Sequence, residues 1–130
     1  RQMVRSIIAE GVPHHKNPVP DAAEHHGIVA SSAIMGIDPT TGDYPADKEQ
    51  QVELAFAHLR KVMGAAEVDA QDVVKFTFFF ADKADRPLVN RHWLELYPDD
   101  KARPARHALA ADLPRGCILQ IEFLAATGRG

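Results

Sequence analysis

Cysteine is almost absent from this chain of 130 residues. Cys117 is its only cysteine, so an internal disulfide cannot form. No Cys/His spacing of the zinc-finger kind occurs either. Both absences favour a reducing compartment, and we therefore expect a cytoplasmic protein.

The chain also lacks long apolar runs and an excess of positive charge. The longest apolar runs, at residues 28–35 and 73–80, are strand-length and far shorter than the about 20 residues that cross a bilayer. The formal net charge is −3, and there is no basic patch interleaved with aromatic residues. These features disfavour a membrane span, a nucleic-acid partner and a ribonuclease or translation-inhibitor function.

The overall composition is that of an ordinary globular protein, with 45% hydrophobic and 25% charged residues. A chain of this length buries enough surface for one core without disulfide or metal support. We expect a single domain over residues 1–130.

Hydrophobic periodicity predicts five strands and two helices in the order β, β, α, β, α, β, β. The first helix begins with a possible capping box formed by Asp47 and Gln50 and ends near Gly64. The second begins near Asp85 and ends before Pro98. The predicted strands cover residues 2–10, 28–35, 73–80, 105–110 and 117–125, and residues 11–21 form a proline-containing loop.

Two helices are too few to cover both faces of a five- or six-stranded mixed sheet, so we expect an α+β fold with both helices on one face. The last strand indicates what the other face carries. Alternate residues point to the helices (Cys117, Leu119, Ile121 and Phe123) and to the open face (Ile118, Gln120, Glu122 and Leu124). A face that is half apolar and half polar predicts a symmetric oligomer with polar clefts between subunits.

Several stretches, in this order, resemble the reactive intermediate deaminase A family (RidA, YjgF-type). They are the turn at 38–42 (DPTTG), residues 73–82 (VVKFTFFFAD), Val89-Asn90, Pro104-Ala105-Arg106, Leu113-Pro114 and residues 121–125 (IEFLA). The resemblance implies a chorismate-mutase-like fold assembled as a homotrimer with ligand clefts between subunits. It also implies cofactor-independent hydrolysis of reactive enamines and imines, made by pyridoxal-phosphate enzymes, to keto acids and ammonia.

Arg106 stands at the position of the family arginine that holds the substrate carboxylate. A guanidinium suits this role because its planar fork can bind a carboxylate through two hydrogen bonds. The alternative is a salt bridge between subunits. Since neighbours on a strand face opposite ways, we expect His107 to point with Leu109 towards the helices as a core histidine, and Arg106 to point to the open face.

Other residues match family positions around the cleft. The resemblance implies that Ser32, Ala33 and Val19 line the substrate-binding cleft together with Asn90 on the second helix. Ser32 and Asn90 have a simpler alternative as local caps or surface hydrogen-bonding groups. Val19 replaces the family tyrosine, and Ala108 replaces a frequent cysteine, so the cleft is reshaped.

The largest departure from the family is Gln120, which stands where the deaminases carry the glutamate that positions the attacking water. An amide cannot accept a proton, and general acid–base help is typically worth about 10²- to 10⁴-fold in rate. Glu122, on the same strand face, or a histidine of another subunit could replace it. Two hypotheses follow: an imine deaminase or divergent relative, and a non-catalytic trimer that binds small carboxylate metabolites.

Four histidines, His14, His15, His25 and His26, fall in one predicted loop region with Asp21 and Glu24. Imidazole and carboxylate are common zinc ligands, but the spacing fits no metal motif, so we expect no metal. The alternatives are a solvated loop or a cleft wall lent to a neighbouring subunit. Cys117 is expected to be a small buried hydrophobe, and no cofactor is implied.

Overall fold

The computed structural model describes residues 2–129, which form seven strands and two α-helices. The elements, in chain order, are β1 (Arg5–Ile7), β2 (Ala22–His25), β3 (Ile28–Ser31), β4 (Ile34–Met35), α1 (Lys48–Ala65), β5 (Val73–Phe80), α2 (Asn90–Leu96), β6 (Ala105–Ala110) and β7 (Leu119–Ala126). A 3-10 segment, Lys83–Val89, leads directly into α2.

One mixed sheet contains all the strands, in the order β1-β2-β3-β7-β5-β6, with β4 also paired to β7. The β5–β6 pair is parallel and the other pairs are antiparallel. The crossover from β5 to β6 contains α2, as a parallel connection requires. Strand β6 therefore lies at an edge of the sheet, and β7 lies in its interior.

Both helices pack on one face of this sheet, which confirms the predicted α+β architecture. Helix α1 buries the apolar stripe that its periodicity predicts, and its Phe56 ring lies 6.2 Å from the ring of Phe78 on β5. Helix α2 contributes Trp93, whose ring lies 5.7 Å from Phe76. The most deeply buried large side chains include Tyr97, Phe76, Phe78, Phe80, Leu59, Leu119 and Ile121.

The strand predictions need three corrections. Residues 22–25, read as loop, form β2, and the first strand shortens to Arg5–Ile7. The run at 28–35 divides into β3 and β4 because its pairing with β7 shifts by one residue, between Ala30 opposite Leu124 and Ile34 opposite Ile121. The sheet consequently has seven strands rather than five or six.

The two helices lie where the sequence predicts them, but their first turns differ from the prediction. Helix α1 begins after Asp47, whose side chain makes no capping hydrogen bond, so the predicted capping box is absent at this helix. The second helical segment begins as 3-10 helix, with Pro87 inside it, and becomes α-helix only at Asn90. No helix in the described part of the chain is both long enough and apolar enough to cross a membrane.

The alternation predicted for the last strand is confirmed. Leu119, Ile121 and Phe123 are buried under the helices, and Cys117, just before the strand, is also buried. Gln120 and Glu122 point to the uncovered face, which we call the open face. This alternation fixes the side on which each candidate residue of β7 lies.

Candidate functional site

Arg106 lies on the helix-covered side of the sheet, contrary to the prediction. It pairs with buried Phe76 on β5, and residues that pair directly across strands point to the same face. Its guanidinium carbon lies 5.3 Å from the ring centroid of Phe78 and 5.2 Å from that of Trp93. Helix α2 and β5 thus form an aromatic platform for the guanidinium at the edge strand.

The electrostatics of Arg106 are those of a partly desolvated cation. The side chain is half-buried, and burial lowers the pKa of the guanidinium from its ordinary value, although it remains charged at neutral pH. Within residues 2–129, no carboxylate forms a salt bridge with it. Its fork of N–H donors is therefore available to an anion from outside the chain.

His107 occupies the opposite face. It pairs with Thr77, which also pairs with Glu122 of β7, so the three residues form one transverse row on the open face. His107 is exposed rather than packed under the helices, so the prediction of a core histidine is wrong. Leu109, expected beside it in the core, also lies on the open face, where it pairs with Phe79.

Gln120 lies in the neighbouring row of the open face, between Phe79 of β5 and Met35 of β4. Its Nε2 donates to the Met35 sulfur across 3.3 Å. The Tyr44 hydroxyl donates to the same sulfur, also across 3.3 Å. Burial raises the pKa of the Tyr44 phenol, with a further contribution from the nearby Cys117.

Glu122 is half-buried on the same face as Gln120 and two residues further along β7. Because a strand rises about 3.3 Å per residue, the two side chains leave the backbone about 7 Å apart. Both face away from Arg106. A single copy of the chain therefore does not bring Arg106 together with Gln120 and Glu122.

Ser32 forms local hydrogen bonds, as the simpler of its two predicted roles requires. Its hydroxyl donates to the carbonyl of Pro20 across 2.7 Å, and its backbone N–H donates to Asp21 across 2.9 Å. These bonds hold the β3–β4 break against the end of the preceding loop. Ala33 follows directly and is half-buried, while Val19 in that loop is 45% exposed.

Asn90 is exposed at the first residue of α2. It precedes Trp93 by three residues, so the two share one side of the helix. This places Asn90 on the helix that covers Arg106. Of the predicted substrate-binding residues, Asn90 and Arg106 belong to the helix side, and Ser32, Ala33 and Val19 belong to the β3–β4 junction and its loop.

The four histidines do not form one cluster. His15 lies with its Nε2 3.8 Å from Oδ1 of buried Asp21, whose Oδ2 accepts the backbone N–H of Ala9. His25 ends strand β2, correcting its assignment to a loop, and its ring packs edge-on against His26 in the following turn. Among residues 2–129, no group of three or more His, Cys, Asp or Glu side chains could hold a metal ion.

Sequence reasoning missed three side chains that shape these surroundings. Phe78 and Trp93 were read only as core residues, and nothing in their spacing identified them as a support for an arginine. Tyr44 lies in a loop with no periodic pattern. Only the register of β4 against β7, which no local pattern shows, brings Met35 between Tyr44 and Gln120.

Comparison with known proteins places these features in a family. The family model described as Endoribonuclease L-PSP matches residues 11–127. The 2-iminobutanoate/2-iminopropanoate deaminase of Escherichia coli (strain K12) is 27% identical over 125 residues, covering 95% of this chain and 98% of that protein. The family match covers every strand and helix from β2 to β7.

Solved structures share the fold over the same extent. A protein of unknown function of the conserved Rid family from Yersinia pestis superposes with a TM-score of 0.85 at 25% identity, covering 96% of this chain and 100% of that one. Escherichia coli TdcF with bound serine superposes with a TM-score of 0.82 at 25% identity, covering 94% of this chain and 98% of that one.

Proposed function

The chain belongs to the endoribonuclease L-PSP (RidA) family, and from this membership we propose that it hydrolyses small imines that carry a carboxylate. Water adds to the carbon of the C=N bond, and the resulting carbinolamine loses ammonia to leave the keto acid. No cofactor takes part. The deaminase relative named for 2-iminobutanoate and 2-iminopropanoate supports a short aliphatic substrate.

The observation that carries this proposal is the state of Arg106. A half-buried guanidinium that lies against two aromatic rings, and that has no salt-bridge partner among residues 2–129, is suited to an external carboxylate. Two charge-assisted hydrogen bonds would orient the ligand, and each is typically worth about 1.5–3 kcal/mol. Contact with the two rings limits where the guanidinium can lie before the ligand arrives.

The assembly forms part of the same proposal. Because Arg106 and Gln120 lie on opposite sides of one sheet, a cleft containing both needs a second copy of the chain. The open face, which exposes Val74 and Leu124, is the surface on which a neighbouring copy would pack. We propose the homotrimer that the family resemblance implies, with Arg106 of one copy near the open face of the next.

The identity of the base separates two versions of the function. Gln120 cannot take a proton from water, so the deaminase needs Glu122 or a histidine such as His107 for this step. The second candidate function is a non-catalytic binder of small carboxylates, and the amide at position 120 is the observation that favours it. A relative solved with bound serine supports an amino acid as one possible ligand.

An assay with 2-iminobutanoate, generated in place by an amino-acid oxidase, tests the proposal by following ammonia and 2-oxobutyrate. We expect the wild type to accelerate hydrolysis and Arg106→Ala to lower kcat/KM by about 100-fold, the loss of a charged bidentate contact. Arg115→Ala, in an exposed loop, is the matched control and keeps the activity.

Two further results decide between the candidates. An inactive wild type that still binds 2-oxobutyrate through Arg106 supports the binder, and activity gained by Gln120→Glu then shows which group is missing. An Arg106→Ala variant with unchanged activity and unchanged binding overturns both functions. Light scattering of the protein as it elutes from a size-exclusion column measures the oligomeric state. A monomer that remains fully active contradicts a cleft shared between copies.

A further inference from the structure

The surroundings of Gln120 show a feature that goes beyond the loss of a base. Its amide lies in an apolar row of the open face, with Phe79 on one side and Met35 on the other. The amide nitrogen donates to the Met35 sulfur across 3.3 Å. In the described part of the chain, the amide oxygen has no hydrogen-bond donor, and the residue itself lies on the open face.

Chemistry determines which way this amide points. A thioether sulfur accepts hydrogen bonds and cannot donate them, so it attracts the NH₂ group of Gln120 and repels the amide oxygen. The Tyr44 hydroxyl donates to the same sulfur, and a phenol is protonated at neutral pH and can therefore act as a donor. Tyr44 thereby holds Met35 in the position that Gln120 needs.

We propose that Met35 and Tyr44 are positioning residues that present the Gln120 oxygen as a fixed acceptor, which selects ligands carrying an N–H donor beside the carboxylate. This inference rests on the proposed function, because Arg106 supplies the carboxylate contact. The chemical class is an α-amino or α-iminium acid. A keto acid places a carbonyl oxygen against the amide oxygen and is disfavoured.

The selection has a consequence for turnover. A protonated imine donates its N–H to Gln120, whereas the keto acid product cannot. The site therefore holds the substrate in its more electrophilic form and favours release of the product. A carboxylate at this position would instead face the Met35 sulfur without a donor from it, so the Met35–Tyr44 pair matches glutamine better than glutamate.

A matched pair of ligands tests this selection without any catalysis. We would measure, by calorimetry, the Kd of L-2-aminobutyrate and of 2-oxobutyrate, which share the carboxylate and the carbon skeleton. The wild type is expected to prefer the amino acid by about tenfold, as one hydrogen bond to a charged donor predicts. Gln120→Leu should bring the ratio of the two Kd values, 2-oxobutyrate over L-2-aminobutyrate, close to one.

Met35→Leu and Tyr44→Phe provide the specific test. Freed from the sulfur, the amide can rotate and offer its NH₂ to the ketone, so both variants should narrow the ratio to about twofold by improving 2-oxobutyrate binding. Loss of packing alone would weaken both ligands and leave the ratio unchanged. Tyr97→Phe, which alters the other tyrosine far from this row, and Met3→Leu are controls that keep the ratio.

The outcomes separate this inference from the function on which it rests. If both ligands bind through Arg106 but the wild-type ratio is one, or Met35→Leu leaves it unchanged, the positioning role is overturned and the carboxylate site stands. If neither ligand binds and Arg106→Ala makes no difference, the carboxylate site and the positioning role both fall. If Met35→Leu narrows the ratio in the wild type but has no further effect on it in a Gln120→Leu background, the inference is supported.

Discussion

The two faces of this sheet are built from alternate residues of the same strands, yet they differ in every property that matters for function. The covered face is a continuous aromatic core, and the Arg106 guanidinium lies at its rim against Phe78 and Trp93. The open face repeats rows that mix apolar and polar side chains, such as Phe79 beside Gln120. The fold therefore separates the anchoring group from the groups that could act on a ligand.

The largest effect expected from this comparison is on stability, at adjacent phenylalanines of β5. Phe78→Ala should lower the free energy of unfolding by about 3–5 kcal/mol, because this side chain is fully buried and its removal leaves a cavity. Phe79→Ala, its neighbour on the open face, should cost less than about 1.5 kcal/mol. Urea unfolding followed by circular dichroism measures both, and equal losses would contradict the assignment of faces.

A second contrast concerns two adjacent glutamines at the start of α1. Gln51 is buried, and its amide bonds the carbonyls of Pro45 and Gly116 and the backbone N–H of Ile118. Gln51→Leu leaves these groups unpaired and should cost roughly 2–3 kcal/mol. Gln50→Leu, which is exposed, should change stability by less than about 0.5 kcal/mol. A similar loss of stability in the two variants would contradict the role of Gln51 as the link between α1 and the residues that lead into β7.

A further prediction concerns the pH dependence of stability, which depends on a buried histidine of the covered face. His92 stacks on Phe56 with ring centroids 4.8 Å apart, and burial lowers the pKa of its imidazole from 6.5. The unfolded chain then binds this proton more readily, so stability is complete above pH 6.5 and falls as the pH drops through the folded pKa. Charged groups that modulate the shift are Arg91, Glu95, Glu53 and Arg60.

His92→Phe keeps the ring stack and removes the titration. We expect the free energy of unfolding of the wild type to decrease between pH 7 and pH 5, and His92→Phe to flatten this slope. Urea titrations at both pH values give the slope, with His14→Gln in the exposed loop as the control. A slope that is the same in wild type and His92→Phe would assign the acid sensitivity to another group.

The same comparison shows what could be predicted from the sequence. Strand β7 is in the interior of the sheet, so its alternation of buried and half-exposed residues was unambiguous, and Gln120 and Glu122 were assigned to the correct face. Strand β6 is an edge strand with Ala, Leu, Arg and His, and neither alternate set is clearly apolar. Only pairing with β5 shows that Arg106 shares a face with Phe76.

Long-range register explains the remaining differences. The division of residues 28–35 into two strands depends on their pairing with β7, where the Ser31 hydroxyl accepts the N–H of Phe123, and the contact between Met35 and Gln120 spans 85 residues. A local sequence pattern cannot show pairings between residues so far apart in the chain. The family resemblance supplied the positions of Arg106 and Gln120, but not the fact that they face opposite ways in one chain.

The smallest stability effects are expected at the site itself, where adjacent residues of β6 again face opposite ways. Arg106→Met keeps an unbranched chain over Phe78 and Trp93 and removes the charge, so the lost cation–π contact and the relieved desolvation oppose each other. We expect the free energy of unfolding to change by less than about 1 kcal/mol. His107→Ala, on the exposed side, should change it by less than about 0.5 kcal/mol.

Stability and ligand binding should both be measured in Arg106→Met and His107→Ala, because the two quantities together separate a structural role from a binding role. Arg106→Met should lose binding of 2-oxobutyrate by about 100-fold while unfolding at nearly the wild-type urea concentration, because the fork and not the stem contacts the carboxylate. A loss of several kcal/mol in stability would instead make Arg106 a structural residue whose cation completes the aromatic core. Since Phe78 and Trp93 already close the core beneath it, a cation at this rim with no salt-bridge partner among residues 2–129 adds little to folding, which agrees with the carboxylate-binding role proposed for Arg106.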